Sequence, residues 1–362
     1  MFERLRIASR RAAVPFLLVL VAGCAGNGTG AVSADRFASG RLAHVPGDLQ
    51  AQAASTMPDV LRRYQRRPGA PPPSWVRYAP DVQKGEIYVP QFTLTNLNEY
   101  VKNNKVNGGP LCSIPNTISV NDLNVDAQQN VWVPIGMPGG HGSIVEYGPN
   151  CGPQKFSITS NSGQPAGIAF DAAGNAYVVD IFGASGAFGN VAVYAPGQTS
   201  PSTILTDPSI IEVVGVALDA SGNAYISYLN QSSETGAVME FPGGQNPGQI
   251  LTGVTTGFPG NIEVDSAGNL MVLDQFGPQV DVFAPPYSGS PAIIPLKGYG
   301  VTCKLGHLER RLYCADYSNG QVDVYSYSPQ NPGATAYVYS FNNGMSVSGQ
   351  VNGLAPSPAA PN

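Results

Sequence analysis

A strand, a turn and a second strand recur along this chain as one unit, and this recurrence limits the possible folds more than any other sequence feature. The cleanest copies are GIAFDAAGNAYVVD, GVALDASGNAYISY and NIEVDSAGNLMVLD, which begin at Gly167, Gly215 and Asn261. In each copy the Asp can close an Asx-turn, the Gly accepts a positive φ, and the Asn tolerates the left-handed region. Apolar residues alternate on both sides of the turn, as in half-buried strands. Each copy is therefore predicted to form a β-hairpin.

Weaker copies occupy residues 81–90, 122–134 and 303–316, and in the last of these His307 takes the place of the turn Asp. Aligning the second strands of all six copies brings one large residue of each into register: Tyr88, Trp132, Tyr177, Tyr225, Met271 and Tyr313. The copies follow one another at intervals of 42 to 48 residues. This interval is typical of the blades of a β-propeller.

A third strand follows each unit and ends on an aromatic residue: Tyr100, Tyr147, Tyr194, Phe241, Phe283 and Tyr325. A Pro/Gly-rich turn and a short fourth strand come next. Six sets of four strands predict an all-β, six-bladed propeller over residues 74–358, because a closed ring protects the sheet edges. Residues 351–356 copy the first-strand pattern and are the candidate for completing blade 1, with residues 75–78 beside them or outside. Residues 359–362 are a tail.

The N-terminus is predicted to be an export signal. Residues 1–23 carry four arginines and then an apolar run that is too short to span a bilayer. The run ends in LVAGC at Cys24, which resembles the bacterial lipobox, and this resemblance implies that Cys24 becomes a lipid-modified N-terminus that anchors the chain to membrane lipid. An ordinary secretory signal is the alternative. With no Asp after Cys24, we expect outer-membrane sorting if the organism is Gram-negative.

Residues 24–73 are rich in Gly, Ala, Ser and Pro, and are predicted to be a flexible tether. Residues 74–362 hold nine basic and 20 acidic side chains, a balance of −11. A body this acidic repels phosphate backbones, so nucleic acid is not an expected partner. We expect a monomer.

Four cysteines remain in the body, which is expected to reach an oxidising compartment. Cys303 and Cys314 flank one predicted hairpin turn, so they can face each other across it. Cys112 and Cys151 are then the second pair and would join neighbouring blades. Four buried free thiols are the alternative, and the absence of a CxxC spacing disfavours a metal site.

The repeats resemble those of NHL-type six-bladed propellers and of the related gluconolactonase/senescence-marker superfamily, whose units read Pro-x-Gly-Ile-Ala-x-Asp-x-x-Gly-Asn-x-Tyr-Val-x-Asp. The resemblance covers about 280 residues. It is specific for the fold and weak for function, because propellers carry binding, hydrolytic and sensory sites on one framework. It implies that ligands or a metal sit at the channel mouth, among the loops between second and third strands and between blades.

Several polar residues are candidates for that mouth. Asp122, Asn124, Asn261 and Glu263 stand where the cleaner repeats have Gly or Ala, in blades 2 and 5, which face each other across the ring. Asn352 lies in a segment that resembles the Asn-Gly-Leu-Ala ligand segment of gluconolactonases. This set could coordinate Ca²⁺ or another divalent cation through oxygens, or it could bond inner-strand backbones and water. Asp180, Asp274 and Asp316 end second strands and either contact a ligand or fix turns.

Two functions follow from these observations. The first is a non-enzymatic scaffold that presents loops to a protein, peptide or carbohydrate, which is favoured because the chain has no Gly-x-Ser-x-Gly elbow, no Gly-Lys-Ser/Thr loop and no CxxCH. No catalytic residue is assigned. The alternative is a metal-dependent lactonase-like hydrolase at the channel mouth, in which the ion would polarise the carbonyl and activate water.

Overall fold

A computed structural model describes residues 86–91, 96–102, 109–117, 120–137, 141–184, 187–345 and 351–357. The predicted signal peptide, Cys24, the tether and the tail lie outside these residues. No helix in the described part of the chain has the length and apolar character needed to cross a bilayer.

The described chain is built from 24 strands and two single-turn 3₁₀ helices, Pro242–Gly244 and Pro332–Ala334. The strands are β1 (Glu86–Pro90), β2 (Asn96–Val101), β3 (Cys112–Pro115), β4 (Asn124–Val125), β5 (Val131–Met137), β6 (His141–Tyr147), β7 (Gln154–Ser160), β8 (Gly163–Phe170), β9 (Ala176–Gly183), β10 (Asn190–Tyr194), β11 (Thr203–Leu205), β12 (Ile210–Leu218), β13 (Ala224–Asn230), β14 (Gly236–Phe241), β15 (Gln249–Thr256), β16 (Pro259–Val264), β17 (Leu270–Asp274), β18 (Gln279–Phe283), β19 (Ala292–Pro295), β20 (Cys303–Leu305), β21 (Arg311–Asp316), β22 (Gln321–Ser326), β23 (Ala336–Phe341) and β24 (Ala355–Pro356).

These strands form six antiparallel sheets of four, which confirms the predicted six-bladed propeller. Blades 2 to 6 each use four consecutive strands, beginning with β4, β8, β12, β16 and β20. Blade 1 is ordered β24-β1-β2-β3, so the C-terminal strand supplies its innermost position. This confirms that the segment around Ala355 completes blade 1.

Apolar side chains fill the space between neighbouring blades. One buried cluster, for example, joins Tyr177 and Val179 of blade 3 to Val213 and Ile226 of blade 4. Because each blade buries both faces in this way, the ring has two distinct ends. We call the end with the loops between second and third strands and between blades the loop face. The opposite end, with the turns between first and second strands, is the turn face.

The repeated Asp fixes the hairpin turn as the sequence predicts. In blade 3, Asp171 Oδ1 accepts hydrogen bonds from the backbone N–H groups of Ala173 and Asn175 at 2.9 and 2.8 Å, and Asn175 Nδ2 donates to Oδ2 at 2.7 Å. Gly174 follows with a φ of 82°. Asp126, Asp219 and Asp265 close their turns with the same pattern.

Blade 6 departs from the predicted alignment. The backbone N–H of Gly306, not that of His307, makes the hydrogen bond that closes the turn, and its acceptor is the carbonyl of Arg311. This turn is one residue longer than the turns of the cleaner repeats, so placing His307 at the turn-Asp position was wrong by one residue. The corrected register pairs Lys304 with Tyr313, as Ala169 pairs with Tyr177 in blade 3.

Both predicted disulfides are present. Cys303 and Cys314 are direct register partners on β20 and β21. Cys112, the first residue of β3, is bonded to Cys151 in the turn between β6 and β7, so this bridge joins blades 1 and 2 on the turn face.

Candidate functional site

Three charged residues meet inside the ring, and we call them the channel triad. Lys304 Nζ lies 2.9 Å from Asp122 Oδ2 and 3.2 Å from Glu263 Oε1. Blades 2 and 5, which carry the two acids, are opposite each other, so a lysine of blade 6 can touch both only by reaching into the central channel.

All three side chains are shielded from solvent, with exposed fractions of 5% for Lys304, 11% for Asp122 and 23% for Glu263. Glu263 is therefore the member most open to water. Asp122 and Glu263 lie along the inner wall, with Glu263 on β16 and Asp122 beside β8, where its backbone N–H donates to the carbonyl of Ala166.

Burial and charge pairing act against each other in the triad. Burial raises the pKa of Asp122, and the nearby Lys304 ammonium lowers it only in part. The pKa of Glu263 is raised for the same reason. Burial lowers the pKa of Lys304, but the two carboxylates outweigh burial and raise it above the usual lysine value. The lysine therefore stays charged at neutral pH and is the cation that the two acids share.

The asparagines predicted at the mouth act mainly as links between blades. Asn261 of blade 5 donates from Nδ2 to the carbonyl of Cys303 at 2.7 Å and accepts from the Cys303 N–H at 2.8 Å. Asn124 of blade 2 donates to the carbonyl of Ile168 in blade 3 at 3.2 Å. Each amide thus satisfies backbone groups of the neighbouring inner strand.

Asn352 sits beside the closing strand of blade 1. It is 1% exposed, and its Nδ2 lies 3.5 Å from Asn121 Oδ1. Its own Oδ1 has no hydrogen-bond partner within the described residues.

The three acids that end second strands differ in their surroundings. Asp274 accepts hydrogen bonds from the backbone N–H groups of Gly257, Phe258 and Phe276, and so fixes the loop that enters blade 5. Asp316 accepts from Ser318, Asn319 and Gln321. Both therefore stabilise turns on the loop face.

Asp180 is different. It is 0% exposed, and neither carboxylate oxygen has a hydrogen-bond partner among the described residues. The start of β8 packs tightly on it, because a Cβ built on Gly163 would lie 2.7 Å from the Asp180 Cβ. Burial raises the pKa of Asp180 to about 7, and the nearby Ser162 hydroxyl offsets little of this rise.

Two residues were missed at the sequence level. Lys304 was hidden by the one-residue error at His307, although a lysine within a short apolar strand is itself a signal of a buried counter-charge. Glu99 has no sequence signal. It is 1% exposed, and its Oε2 lies 2.9 Å from Cys112 Sγ, a contact that only the three-dimensional structure reveals.

The resemblance to gluconolactonases implies a divalent ion held by oxygens, and the residues present do not fit one. The Lys304 ammonium lies between the two predicted acidic ligands. The side-chain amides of Asn261 and Asn124 are already hydrogen-bonded to backbone groups. A metal would have to displace the lysine, so no catalytic step is derived through an ion.

Comparisons with known proteins bear on the fold alone. No family model and no curated protein sequence matches the chain. Among solved structures, a chain of a nidogen/laminin complex is similar, with a TM-score of 0.59, 15% identity and coverage of 77% of this chain and 100% of that one. A protein of unknown function from Bacteroides caccae has a TM-score of 0.56, 11% identity and coverage of 76% and 99%. A gluconolactonase from Xanthomonas campestris has a TM-score of 0.46, 18% identity and coverage of 66% and 84%.

Proposed function

We propose that this protein is a non-enzymatic binding scaffold whose loop face docks a protein or peptide. The observation that carries this proposal is the placement of large exposed apolar side chains on that face. Phe188 and Phe276 lie in the loops between second and third strands of blades 3 and 5, and are 44% and 53% exposed. Met137, the last residue of the second strand of blade 2, is 52% exposed. Exposed apolar and aromatic residues on a rigid frame are typical of protein-binding surfaces.

The channel triad supports the same conclusion. The Lys304 ammonium occupies the position between Asp122 and Glu263, so an ion bound by both acids would have to compete with it. The lactonase-like alternative would need that position for its ion.

The membrane anchor is part of the proposal. Lipidation of Cys24 would hold the acidic body at the envelope surface on a flexible tether, with the ring free to orient its loop face toward a partner. Labelling of cells with a palmitate analogue should mark the wild-type chain and leave the Cys24→Ser variant unmarked.

Site-specific photo-cross-linking in the native host tests the scaffold. A photoreactive residue at Phe276 should give one defined adduct, and the same residue at Leu308, which is 51% exposed on the turn face, should give none. Phe188→Ser combined with Met137→Ser should abolish the adduct formed at Phe276. Equal adducts from both faces, or none from the loop face, would contradict the proposal.

A further inference from the structure

The disulfide between blades 1 and 2 lies against a buried acid. Glu99 Oε2 is 2.9 Å from Cys112 Sγ and 3.8 Å from Cys151 Sγ. Glu99 is on β2, directly opposite Cys112 on β3, whereas Cys151 belongs to the neighbouring blade. One carboxylate and two sulfur atoms therefore lie within 4.8 Å of one another.

The state of Glu99 agrees with this contact. A disulfide sulfur has no proton to donate, so the short oxygen–sulfur contact is favourable when the carboxyl holds the proton. Burial, helped by the nearby Glu86, raises the pKa of Glu99 to about 7, and Tyr88 opposes the rise.

The two residues of this bridge are more exposed than those of the other disulfide. Cys112 and Cys151 are partly exposed, whereas Cys303 and Cys314 are 3% and 2% exposed. A thiol reductant therefore meets the bridge between blades first. In this exchange the disulfide takes up two electrons and two protons, and the reductant is oxidised to its own disulfide.

We propose that Cys112, Cys151 and Glu99 form a redox-gated site for a thiophilic divalent ion such as Zn²⁺. In the oxidised chain the two sulfurs are bonded to each other and the site is closed. In the reduced chain they become two thiolates beside a carboxylate, a ligand set that suits Zn²⁺, with a fourth position left for water.

Zinc binding requires the two sulfur atoms to move apart once the disulfide is reduced. In a tetrahedral zinc site with Zn–S bonds of about 2.3 Å, two sulfurs stand about 3.8 Å apart. Cys151 Sγ lies 3.8 Å from the carboxylate oxygen, whereas Cys112 Sγ, at 2.9 Å, must move away from it. The Cα atoms of the two cysteines are 6.0 Å apart. Breaking the sulfur–sulfur bond lets the two side chains rotate apart while their backbones stay in place. Binding then releases both thiol protons, so affinity should fall as the pH falls.

The test uses the full chain, which is first reduced with a phosphine in the presence of chelator. The phosphine and the chelator are then removed under anaerobic conditions, and the chain is titrated with Zn²⁺. We expect one ion per reduced chain and none per oxidised chain. Cobalt(II) in place of zinc should give thiolate-to-metal charge-transfer absorption that disappears in Cys112→Ser and in Cys151→Ser. The double variant Cys303→Ser/Cys314→Ser should bind as the wild type does.

Glu99→Gln separates a three-ligand site from a pair of thiolates, and should weaken binding about tenfold or more. Its matched control is Glu240→Gln, which changes the acid at the same position of blade 4, where the register partner is Gln249. Wild-type affinity in Glu99→Gln, or no zinc uptake by the reduced chain, would overturn the proposal. If reduction unfolds the ring, zinc should restore its near-ultraviolet circular dichroism, and failure to do so would also overturn it.

Discussion

Asp122 and Asp180 are both buried aspartates near the inner strands, in adjacent blades, but their surroundings are opposite. Asp122 shares a lysine ammonium with Glu263. Asp180 has no counter-charge and no hydrogen-bond partner for its oxygens among the described residues. The comparison shows that burial alone does not decide the state of a carboxyl group. The partner decides whether it remains an ion or keeps its proton.

Removing Lys304, the cation that Asp122 and Glu263 share, should give the largest loss of stability. Lys304→Met leaves two buried carboxyls without their counter-charge, so we expect a loss of about 3 to 5 kcal/mol in the free energy of unfolding. Urea denaturation at pH 7 measures it. The matched control Lys155→Met removes a lysine whose ammonium donates to the Asn130 side-chain oxygen, and should cost about 1 kcal/mol or less. A triple variant that also carries Asp122→Asn and Glu263→Gln should recover much of the loss, and no recovery would contradict this explanation.

Asp180 should make the free energy of unfolding depend on pH. The pKa of Asp180 is raised to about 7 in the folded chain from 3.8, so the folded state holds the proton over a range in which the unfolded state has released it. Stability from this group is therefore greatest at low pH and falls as the pH rises from about 4 to about 7, by on the order of 3 kcal/mol. Asp180→Asn should flatten this part of the profile.

Asp274→Asn is the control at the same position of blade 5. It weakens an acceptor of three backbone N–H groups, so it should destabilise the chain at pH 7 and not remove the slope between pH 4 and 7. Identical profiles for Asp180→Asn and the wild type, measured by urea denaturation at each pH, would show that Asp180 is not the titrating group.

Removing a hydrogen bond that links neighbouring blades should lower the free energy of unfolding by a smaller amount. Asn261→Ala leaves the buried N–H and carbonyl of Cys303 without their partners, and should cost about 2 kcal/mol. Asn124→Ala removes one longer bond to the neighbouring blade and one local bond from the Val125 N–H, and should cost about half as much. Equal losses in thermal and urea unfolding would contradict the assignment of Asn261 as the stronger link.

The smallest expected effect concerns divalent ions. Millimolar Ca²⁺, compared with chelator, should change the Tm of the oxidised wild-type chain by less than about 1 °C, because Lys304 already neutralises the acids. A rise of several degrees that is abolished by Glu263→Gln would instead favour the lactonase-like alternative, and screening lactones would follow.

The repeat predicted most of the fold because its signals are local. An Asp that closes a turn, as Asp171 does, depends on residues four positions away at most, and four such turns, at Asp126, Asp171, Asp219 and Asp265, mark the repeat. Both cysteine pairs were also predictable, one from its hairpin and the other because two cysteines remained. The site was only partly predictable. Asp122 and Glu263 were singled out as misfits in the pattern, but their partner Lys304 comes from another blade.

The contacts of Glu99 and the isolation of Asp180 could not be predicted for a related reason. Glu99 looks like any acid on a third strand, and Glu240 stands at the same position without a cysteine opposite. Asp180 and Asp274 end second strands in the same way, and only the loop that enters each blade distinguishes them. Such differences depend on packing between segments distant in sequence, which local patterns do not record.

Closure of blade 1 by β24 has a consequence for biogenesis. Blade 1 waits for Ala355 and Pro356, which leave the ribosome or an export pore only after the strands of the other five blades. The first sheet must therefore remain incomplete, with an open edge, until those five blades have been synthesised. Any chaperone that protects this protein should recognise that edge, and a nascent chain stalled before residue 351 should be the form most easily cleaved by proteases.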